Sequence, residues 1–433
     1  MKDILFKADD STRRQFMRMT AGSTLGVGLL SQAMTEDVFA AAGATEEGAR
    51  KRPTARNVIY LYMSGGMTHI DTFDPKPGSE VGGPVKAIPT KADGVFISEY
   101  LPGIAQHMDK AAIVRSLTST QGAHAQGNYY MHTSYSPRGT IKHPGLGAWI
   151  QKLDGKTNRT LPAAVRVGGG GSGGAGFMES KFAPLQLGNP SEGLRNSKLL
   201  GGLSDREFDD RLALVNAFNK KFRETYNQKD VRAQKDMYED AVKLMRSQDL
   251  QAFDLSKEDS KIREAYGDNN FGQGALLARR LLENDVRFVE VNLGGWDTHQ
   301  NNFVSVPQRT ATLDQAVSTL LTDLERRGML EETIVVIATE FGRTPRINQN
   351  DGRDHFPKAF SGFIAGGGVK GGTVYGKTDE RAENVVEGKL QVPDFNATIA
   401  YGLGLPLDKV ITSPSGRPFT IAHKGRPVTE LFG

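Results

Sequence analysis

Six side chains are the strongest candidates for chemistry, because they place carboxylates beside histidines within short stretches of the chain. They are Asp71, Asp297, His299, Glu340, Asp354 and His355. Carboxylate oxygens and imidazole nitrogens are common ligands of divalent metal ions, so the sequence predicts a metal site. Because the chain contains no cysteine, thiolate ligands and a thiol nucleophile are excluded, and Zn, Mn, Mg or Ca is the expected ion.

Four further residues are candidates for catalysis beside such an ion. The hydroxyls of Ser64 and Thr68 are candidate nucleophiles, with Ser134 or a metal-bound water as alternatives. His124 is a candidate general acid or an additional ligand. Arg343 is a candidate for donating two hydrogen bonds to a phosphate or sulfate group, and a structural ion pair with Asp354 or Glu340 is the alternative.

Two buried strands are expected to position most of these residues. Residues 334–338 form an apolar run without polar alternation, typical of a strand buried on both faces, and Glu340 follows it closely. Residues 286–292 form a similar run that ends shortly before Asp297. A helical pattern at 310–327 lies between the two runs, which predicts parallel strands in a βαβ arrangement. Ligands bind beyond the carboxyl ends of such strands, and the candidate side chains should converge there.

A third apolar run, at 57–63, has the same pattern in a less complete form. It leads into Gly65 and Gly66, whose backbone N–H groups could approach an anion, and then into His69 and Asp71. His69 and Asp71 could complete a metal shell or act as a general acid. A plain turn after the strand is the alternative interpretation of this segment.

Three other features organise the chain without adding to the site. His124 and His132 fall about two helical turns apart, so we expect one to serve the site and the other to pack. The glycine tract at 168–176 lacks the frame of a phosphate-binding loop and predicts a surface loop or lid. The charged residues of 204–282 are typical of solvent-exposed helix faces.

Residues 1–44 fit a signal peptide of the twin-arginine type. Arg13 and Arg14 precede Phe16, and a weakly apolar stretch follows at 19–30. A chance pair of arginines is the alternative. Cleavage is expected at Ala40, Ala42 or Ala44, and residues 45–56 are expected to form a flexible lead-in.

This reading predicts a periplasmic or secreted protein whose export partner is the twin-arginine translocase. The stretch at 19–30 is too short and too polar for a membrane span, so no transmembrane anchor is expected in the mature chain. The net charge of +4 is small and dispersed, which predicts no nucleic-acid partner but tolerates an anionic substrate.

Six motifs also resemble a known family. They are MSGGMTHIDTFDP at 63–75, AHAQ at 123–126, GGWDTHQ at 294–300, TEFGRTP at 339–345, GRDH at 352–355 and GGGVKGGTVYG at 366–376. The chain resembles the exported bacterial family called domain of unknown function 1501, which is grouped with alkaline phosphatases and sulfatases. The resemblance implies one α/β domain at 57–433, an alkaline-phosphatase-like sandwich with a mixed, mostly parallel β-sheet flanked by helices. A helical insertion is expected around 204–282.

The chain departs from the enzymes of that superfamily at two positions. Ser64 stands where alkaline phosphatases place a metal-binding aspartate, and Glu340-Phe341 stands where they place an Asp-His pair. The chain also lacks a cysteine and a clear serine version of the motif from which sulfatases make formylglycine. Sulfatase chemistry of that kind is therefore not expected.

The expected function is metal-dependent hydrolysis of phosphate esters, with sulfate esters second. The substrate would be a small anionic ester or an ester linked to a polysaccharide. The rival is a non-catalytic exported binding protein that keeps the fold with a degraded metal site. A sulfohydrolase or phosphonate-type hydrolase acting on polysaccharide is a third hypothesis. Fold analogy alone does not choose among them.

Overall fold

The structure is a computed structural model that describes residues 55–433, except 170, 171, 198, 200 and 226–228. The predicted signal peptide and nearly all of the predicted lead-in lie outside the described residues. Across the described part of the chain, no helix has both the length and the apolar character that a bilayer span requires.

The strands are β1 (Asn57–Met63), β2 (Ala87–Pro89), β3 (Phe96–Ser98), β4 (Ala111–Thr118), β5 (Ala164–Val167), β6 (Leu185–Leu187), β7 (Phe288–Leu293), β8 (Thr333–Ala338), β9 (Gly342–Arg343), β10 (His355–Phe356), β11 (Phe360–Ala365), β12 (Thr373–Tyr375), β13 (Lys377–Thr378), β14 (Val385–Glu387), β15 (Leu390–Gln391), β16 (Ile411–Thr412) and β17 (Pro418–Phe419). The α-helices are α1 (Pro102–Ala105), α2 (His124–Thr133), α3 (Leu146–Asp154), α4 (Asp205–Thr225), α5 (Lys229–Met245), α6 (Ser260–Tyr266), α7 (Asn270–Glu283), α8 (Asn302–Arg326) and α9 (Val392–Gly402).

One nine-stranded sheet organises the chain, in the order β12-β4-β11-β8-β1-β7-β5-β6, with β15 also paired to β4. β1 pairs in parallel with both β7 and β8. Of the strands described in this sheet, β11 alone runs in the opposite direction, antiparallel to β4 and β8. The predicted mixed, mostly parallel sheet is therefore confirmed.

Strand β1 shows why the sheet is covered on both faces. Ile59 and Leu61 belong to the apolar cluster that includes residues of α7 and α8, whereas Tyr60 and Tyr62 belong to the cluster that includes α3 and α9. Successive side chains of a strand point to opposite faces, so an uninterrupted apolar run needs a helical layer on each side. The predicted flanking helices are confirmed.

The helices across 204–282 differ in their burial. The described side chains of α4 and α5 are mostly exposed, as the charge pattern predicted. In contrast, α7 is buried along most of its length and packs against β7. Helix α8 begins earlier than its sequence pattern indicated, at Asn302, and Pro307 lies within it.

The sheet topology brings several loops to one edge. The carboxyl ends of β1, β4, β7 and β8 lie at this edge, because these strands run in the same direction. The antiparallel β11 begins there, so the excursion between β8 and β11 returns to the same edge. Within that excursion, β9 and β10 pair and set Arg343 opposite His355.

Candidate metal centre

Asp297 lies at the centre of the candidate site, in the loop after β7. Its Oδ1 is 3.2 Å from His124 Nε2, 3.1 Å from His299 Nε2 and 3.4 Å from His355 Nε2. The ligand atoms of His124, Asp297 and His355 all lie within 4.8 Å of one another, close enough to hold one ion. His299 joins this group through Asp297 and through a 3.0 Å separation between its Nε2 and that of His355.

The second ring nitrogen of two of these histidines already has an oxygen partner. His355 Nδ1 lies 2.9 Å from the carbonyl oxygen of Gly122. A carbonyl accepts only, so Nδ1 carries the proton, and a neutral His355 presents a lone pair at Nε2. His299 Nδ1 lies 2.6 Å from Asp354 Oδ1. A carboxylate oxygen also accepts, so Nδ1 carries the proton, and a neutral His299 has its lone pair on Nε2.

His124 is held in the same way by Glu340. His124 Nδ1 lies 2.7 Å from Glu340 Oε1, which also accepts the Gly65 N–H at 2.9 Å. Tyr62 donates its hydroxyl to Glu340 Oε2 at 3.0 Å. The buried Nε2 of His124 has no hydrogen-bond partner within the described residues, because its 3.2 Å contact to Asp297 lacks hydrogen-bond geometry. That orphaned atom fits a metal ligand.

Charge at the site is concentrated on the carboxylates. Burial would raise the pKa of Asp297, but the Arg343 guanidinium and His124 hold that pKa at about 2. Burial would likewise raise the pKa of Glu340, which the hydrogen bonds from His124 and backbone N–H groups keep below its usual value. The hydrogen bond to Glu340 raises the pKa of His124, whereas burial lowers the pKa of His355.

Two predicted ligands occupy positions behind the histidines. Glu340 and Asp354 each contact the Nδ1 atom of a histidine, away from the point where the Nε2 atoms converge. Glu340 is almost fully buried, and both of its oxygens accept hydrogen bonds from protein groups. The structure therefore gives these two carboxylates an orienting position, in contrast to the direct ligation predicted from the sequence.

Asp71 does not reach the cluster, contrary to its prediction as a metal ligand. Its carboxylate is fully buried and forms two hydrogen bonds with Arg353, at 2.8 and 2.9 Å. Thr68 and Asn302 donate to the same carboxylate at 2.9 and 2.8 Å. The Thr68 hydroxyl is thus committed to the buried Asp71 carboxylate, so Thr68 is also a poor candidate for a nucleophile. His69 is fully buried as well, with Nε2 3.1 Å from the carbonyl oxygen of Ala382.

Arg343 is buried and committed to the protein, contrary to its predicted role in binding a substrate anion. Its donors reach the carbonyl oxygens of Gly66 at 3.0 Å and Arg353 at 3.1 Å, and also Gly65 O and Asp297 Oδ1. The alternative of a structural ion pair describes it better, but its partner is Asp297 and not the predicted Asp354 or Glu340. Arg343 thereby holds the Asp297 carboxylate next to the loop after β1.

The loop after β1 approaches Asp297 closely because it carries glycine. Gly65 has φ +115°, and a Cβ on it would lie 2.6 Å from the backbone nitrogen of Asp297. The Gly65 N–H donates to Glu340, so it is not available to a substrate anion. Ser64 precedes Gly65 and is half-buried, and its hydroxyl is unpaired within the described residues. Of the predicted nucleophiles, Ser64 thus keeps a free hydroxyl, whereas the buried Ser134 accepts a hydrogen bond from Asn396.

The two helical histidines have separate environments, as predicted. His124 lies at the cluster, whereas His132 is buried with Nε2 3.1 Å from Glu290 Oε1. Phe341, which follows Glu340, is buried against the rings of His124 and His355, with centroids 5.0 and 4.8 Å away.

Two further residues contribute to the site beyond those that the sequence indicates. Tyr62 lies in the apolar run of β1, where a tyrosine near the end of a buried strand needs a partner for its hydroxyl. Gly122 contributes a backbone carbonyl, for which the sequence contains no signal. The Tyr62 hydroxyl donates to Glu340 Oε2, and the Gly122 carbonyl oxygen accepts from His355 Nδ1.

Comparison with known proteins gives fold-level similarities at low identity. The chain is similar to a sulfatase from Pseudoalteromonas sp., with 12% identity and a TM-score of 0.42, covering 88% of this chain and 72% of that one. It is similar to the lipoteichoic acid synthase LtaP from Listeria monocytogenes, with 9% identity, a TM-score of 0.41 and coverage of 86% and 79%. For an alkaline phosphatase superfamily protein from Vibrio parahaemolyticus, the identity is 10%, the TM-score 0.37 and the coverage 87% and 70%.

No curated protein matches this chain. A family described as "Protein of unknown function (DUF1501)" matches residues 55–432, which includes every residue of the cluster around Asp297. The family predicted from the six motifs is thus confirmed, and the chain belongs to DUF1501.

Proposed function

We propose that this protein is a metal-dependent hydrolase of phosphate esters, with sulfate esters as the second substrate class. One observation carries the proposal. Three histidine Nε2 atoms lie 3.1 to 3.4 Å from Asp297 Oδ1, and the Nδ1 atom of each ring faces an oxygen. Lone pairs directed at a carboxylate oxygen repel it, and a divalent cation between them would remove the repulsion.

The ligand set favours zinc or a similar first-row ion over calcium and magnesium. Tetrahedral bonds of about 2.0–2.1 Å place ligand atoms about 3.3–3.4 Å apart. The separations around Asp297 Oδ1 are close to this value. Calcium takes six to eight oxygens at longer distances, and magnesium also prefers oxygen, so neither suits three imidazoles.

A bound ion would supply Lewis acidity and lower the pKa of a water or hydroxyl ligand. The protein's own residues would do the rest. Glu340 and Asp354 hold His124 and His299 in the required tautomers, and Phe341 excludes water from one side of the rings. Ser64 is the candidate protein nucleophile, since its hydroxyl is unpaired within the described residues and it adjoins the loop that touches Asp297.

Arg309 is the candidate for holding the anionic group of the ester, in place of Arg343. It is exposed in the first part of α8, and a Cβ on Gly295 would lie 2.7 Å from its Nε. Its guanidinium therefore rests on the loop that leads to Asp297. An exposed guanidinium in this position can donate two parallel hydrogen bonds to a phosphate or sulfate.

The rival function is a non-catalytic binding protein with the same metal centre. The commitments of Arg343 and Thr68 to internal partners favour it, because they remove two predicted catalytic groups. A binding protein and a hydrolase would contain the same amount of metal, but only the hydrolase would cleave the esters.

The decisive experiment combines metal analysis with an activity screen. Purified protein is analysed for zinc, manganese, magnesium and calcium by mass spectrometry, then assayed on phosphomonoesters, phosphodiesters and sulfate esters. Hydrolysis that requires the metal and disappears in Asp297→Asn supports the enzyme. Stoichiometric metal without turnover favours the binding protein, and absence of both metal and turnover refutes the proposal.

Export forms the second part of the proposal. The twin-arginine pattern of residues 1–44 supports delivery to the periplasm by the twin-arginine translocase. The test is fractionation of cells that express the full chain or its Arg13→Lys, Arg14→Lys double variant. Equal amounts of periplasmic protein from both would refute this route.

A further inference from the structure

An open polar depression of about 560 Å³ adjoins the candidate metal centre. Its lining residues are Thr344, Arg346, Asn348, Gln349, Asn350 and Asp354. Asp354 belongs to both features, since its Oδ1 accepts from His299 Nδ1 at 2.6 Å. A substrate whose ester group lies at the histidines could therefore extend into the depression.

The loop that forms the depression is held in a fixed frame. Asn348 accepts hydrogen bonds from the backbone N–H groups of Asn350 and Gly352 at 2.9 and 3.0 Å, and donates to the carbonyl oxygen of His299 at 3.0 Å. The backbone of Asn350 also accepts from Asn301, just before α8. The frame is therefore tied both to the loop of Asp297 and His299 and to the start of α8.

The lining of the depression contains one guanidinium group, that of Arg346, which has no carboxylate partner within the described residues. Arg346 is exposed, and the nearest lining carboxylate, Asp354, pairs instead with His299. Gln349 and Asn350 are exposed beside it and offer amide donors and acceptors. Besides the Asp354 carboxylate, which pairs with His299, the lining offers a guanidinium, amides and a hydroxyl but no aromatic or aliphatic side chain. Such a lining suits a hydroxyl-rich group whose negative charge lies at Arg346, away from Asp354.

We propose that this depression is a subsite for the alcohol portion of the substrate and that Arg346 selects an ester whose alcohol is an acidic, polyhydroxylated group such as a uronic acid. The subsite rests on the proposed hydrolase, because it assigns the part of the ester beyond the reacting group. Arg346 acts as a specificity-determining residue and leaves the bond cleavage to the metal centre. A guanidinium matches a carboxylate with two parallel hydrogen bonds, which a neutral hydroxymethyl group does not provide.

The test uses glucuronic acid 1-phosphate and glucose 1-phosphate, which differ only in a carboxylate against a hydroxymethyl group. Wild-type protein should bind the uronic acid ester about tenfold more tightly, as a charged hydrogen-bonded pair commonly provides. Arg346→Gln should abolish the preference for the uronic acid ester over glucose 1-phosphate, whereas Arg346→Lys should retain part of it. Binding is measured by calorimetry, and KM and kcat are measured wherever hydrolysis occurs.

Arg326→Gln is the matched control, because it removes the same charge at the far end of α8. This helix has 25 residues, so the control position lies about 36 Å along the helix from its start beside the site. Equal binding of the two esters by wild-type protein, or the same loss of preference in Arg326→Gln, would overturn the subsite. Hydrolysis of both esters without preference rejects the subsite alone, whereas preferential binding without any hydrolysis rejects the proposed hydrolase alone.

Discussion

His299 Nε2 lies 3.0 Å from His355 Nε2, although the Nδ1 atom of each ring already faces an oxygen. In the neutral tautomers that those oxygens select, the two Nε2 lone pairs point at each other. A proton shared between them or a metal ion beside them makes the contact favourable. Since His124 also directs an orphaned Nε2 toward the same place, a cation with several ligands accounts for all three rings.

The first prediction concerns the histidines themselves. His355→Ala and His124→Ala should each lower the affinity for zinc, because each removes one of the three residues whose ligand atoms lie within 4.8 Å of one another. Zinc added to chelator-treated wild-type protein should raise Tm, and the ligand-linked stabilisation is about 2.7 kcal/mol at a hundredfold excess over Kd. Differential scanning calorimetry with and without zinc measures this gain.

His107→Ala is the control for these variants. His107 contacts Thr322 through Nε2 at 3.2 Å and takes no part in the cluster. Its zinc-dependent rise in Tm should equal that of wild-type protein. If the ligand variants keep the full rise as well, zinc binds elsewhere and the assignment of the centre is wrong.

The second prediction separates orientation from ligation. Glu340→Gln keeps the shape of the side chain, but its amide cannot accept all the hydrogen bonds that now come from Gly65, Tyr62 and His124. Loss of such an orienting carboxylate commonly weakens metal binding by about 10–100-fold. Competition against a chromophoric chelator measures the Kd. An unchanged Kd would mean that Glu340 serves only the packing of the strand end.

The strand ends and their convergence were predictable because they follow from general rules. Apolar runs at 57–63, 286–292 and 334–338 became neighbouring parallel strands, and parallel strands place their carboxyl ends at one edge. The sequence could not show which carboxylates would touch a ring nitrogen and which an ion. That distinction depends on displacements of about 2–3 Å, roughly the length of a ligand bond, which residue types do not encode.

Long-range charge pairing explains the two largest differences from the sequence prediction. Asp71 meets Arg353 and Arg343 meets Asp297 across large separations in the chain. Before the fold is known, a buried carboxylate with an arginine partner has the same local sequence as a metal ligand. Pairing of this kind is set by tertiary packing, so the sequence left the partners open.

The third prediction tests the structural position of Asp71. Asp71→Ala would leave the fully buried guanidinium of Arg353 without its carboxylate. Breaking a buried ion pair from one side commonly costs about 3–5 kcal/mol in the free energy of unfolding. Urea denaturation measures this loss, while the zinc content per folded molecule should stay at the wild-type value.

Glu80→Ala is the matched control, because Glu80 pairs with Arg381 at the surface. It should leave both the free energy of unfolding and the zinc content unchanged. A large fall in zinc content of folded Asp71→Ala, with its stability preserved, would instead restore Asp71 as a ligand.

The fourth prediction uses a histidine remote from the proposed ligands. His143 is 2% exposed, its ring stacks on Tyr135 with centroids 4.4 Å apart, and burial lowers its pKa to about 4. Tyr129 accepts the His143 backbone N–H at 2.7 Å, and its hydroxyl oxygen also lies 2.7 Å from His143 Nδ1. Burial disfavours the charged imidazolium, which favours the neutral ring in the folded protein.

The sign of the pH effect follows from this lowered pKa. The unfolded chain takes up a proton on His143 below about pH 6.5, whereas the folded protein does so only near pH 4, so stability is lost as the pH falls between these values. At about pH 5 the loss attributable to His143 should be about 2 kcal/mol relative to about pH 7. Urea denaturation at both pH values should show a smaller loss in His143→Gln, because that variant lacks the titrating group. Equal losses in the variant and the wild-type protein would assign the acid sensitivity to other buried histidines.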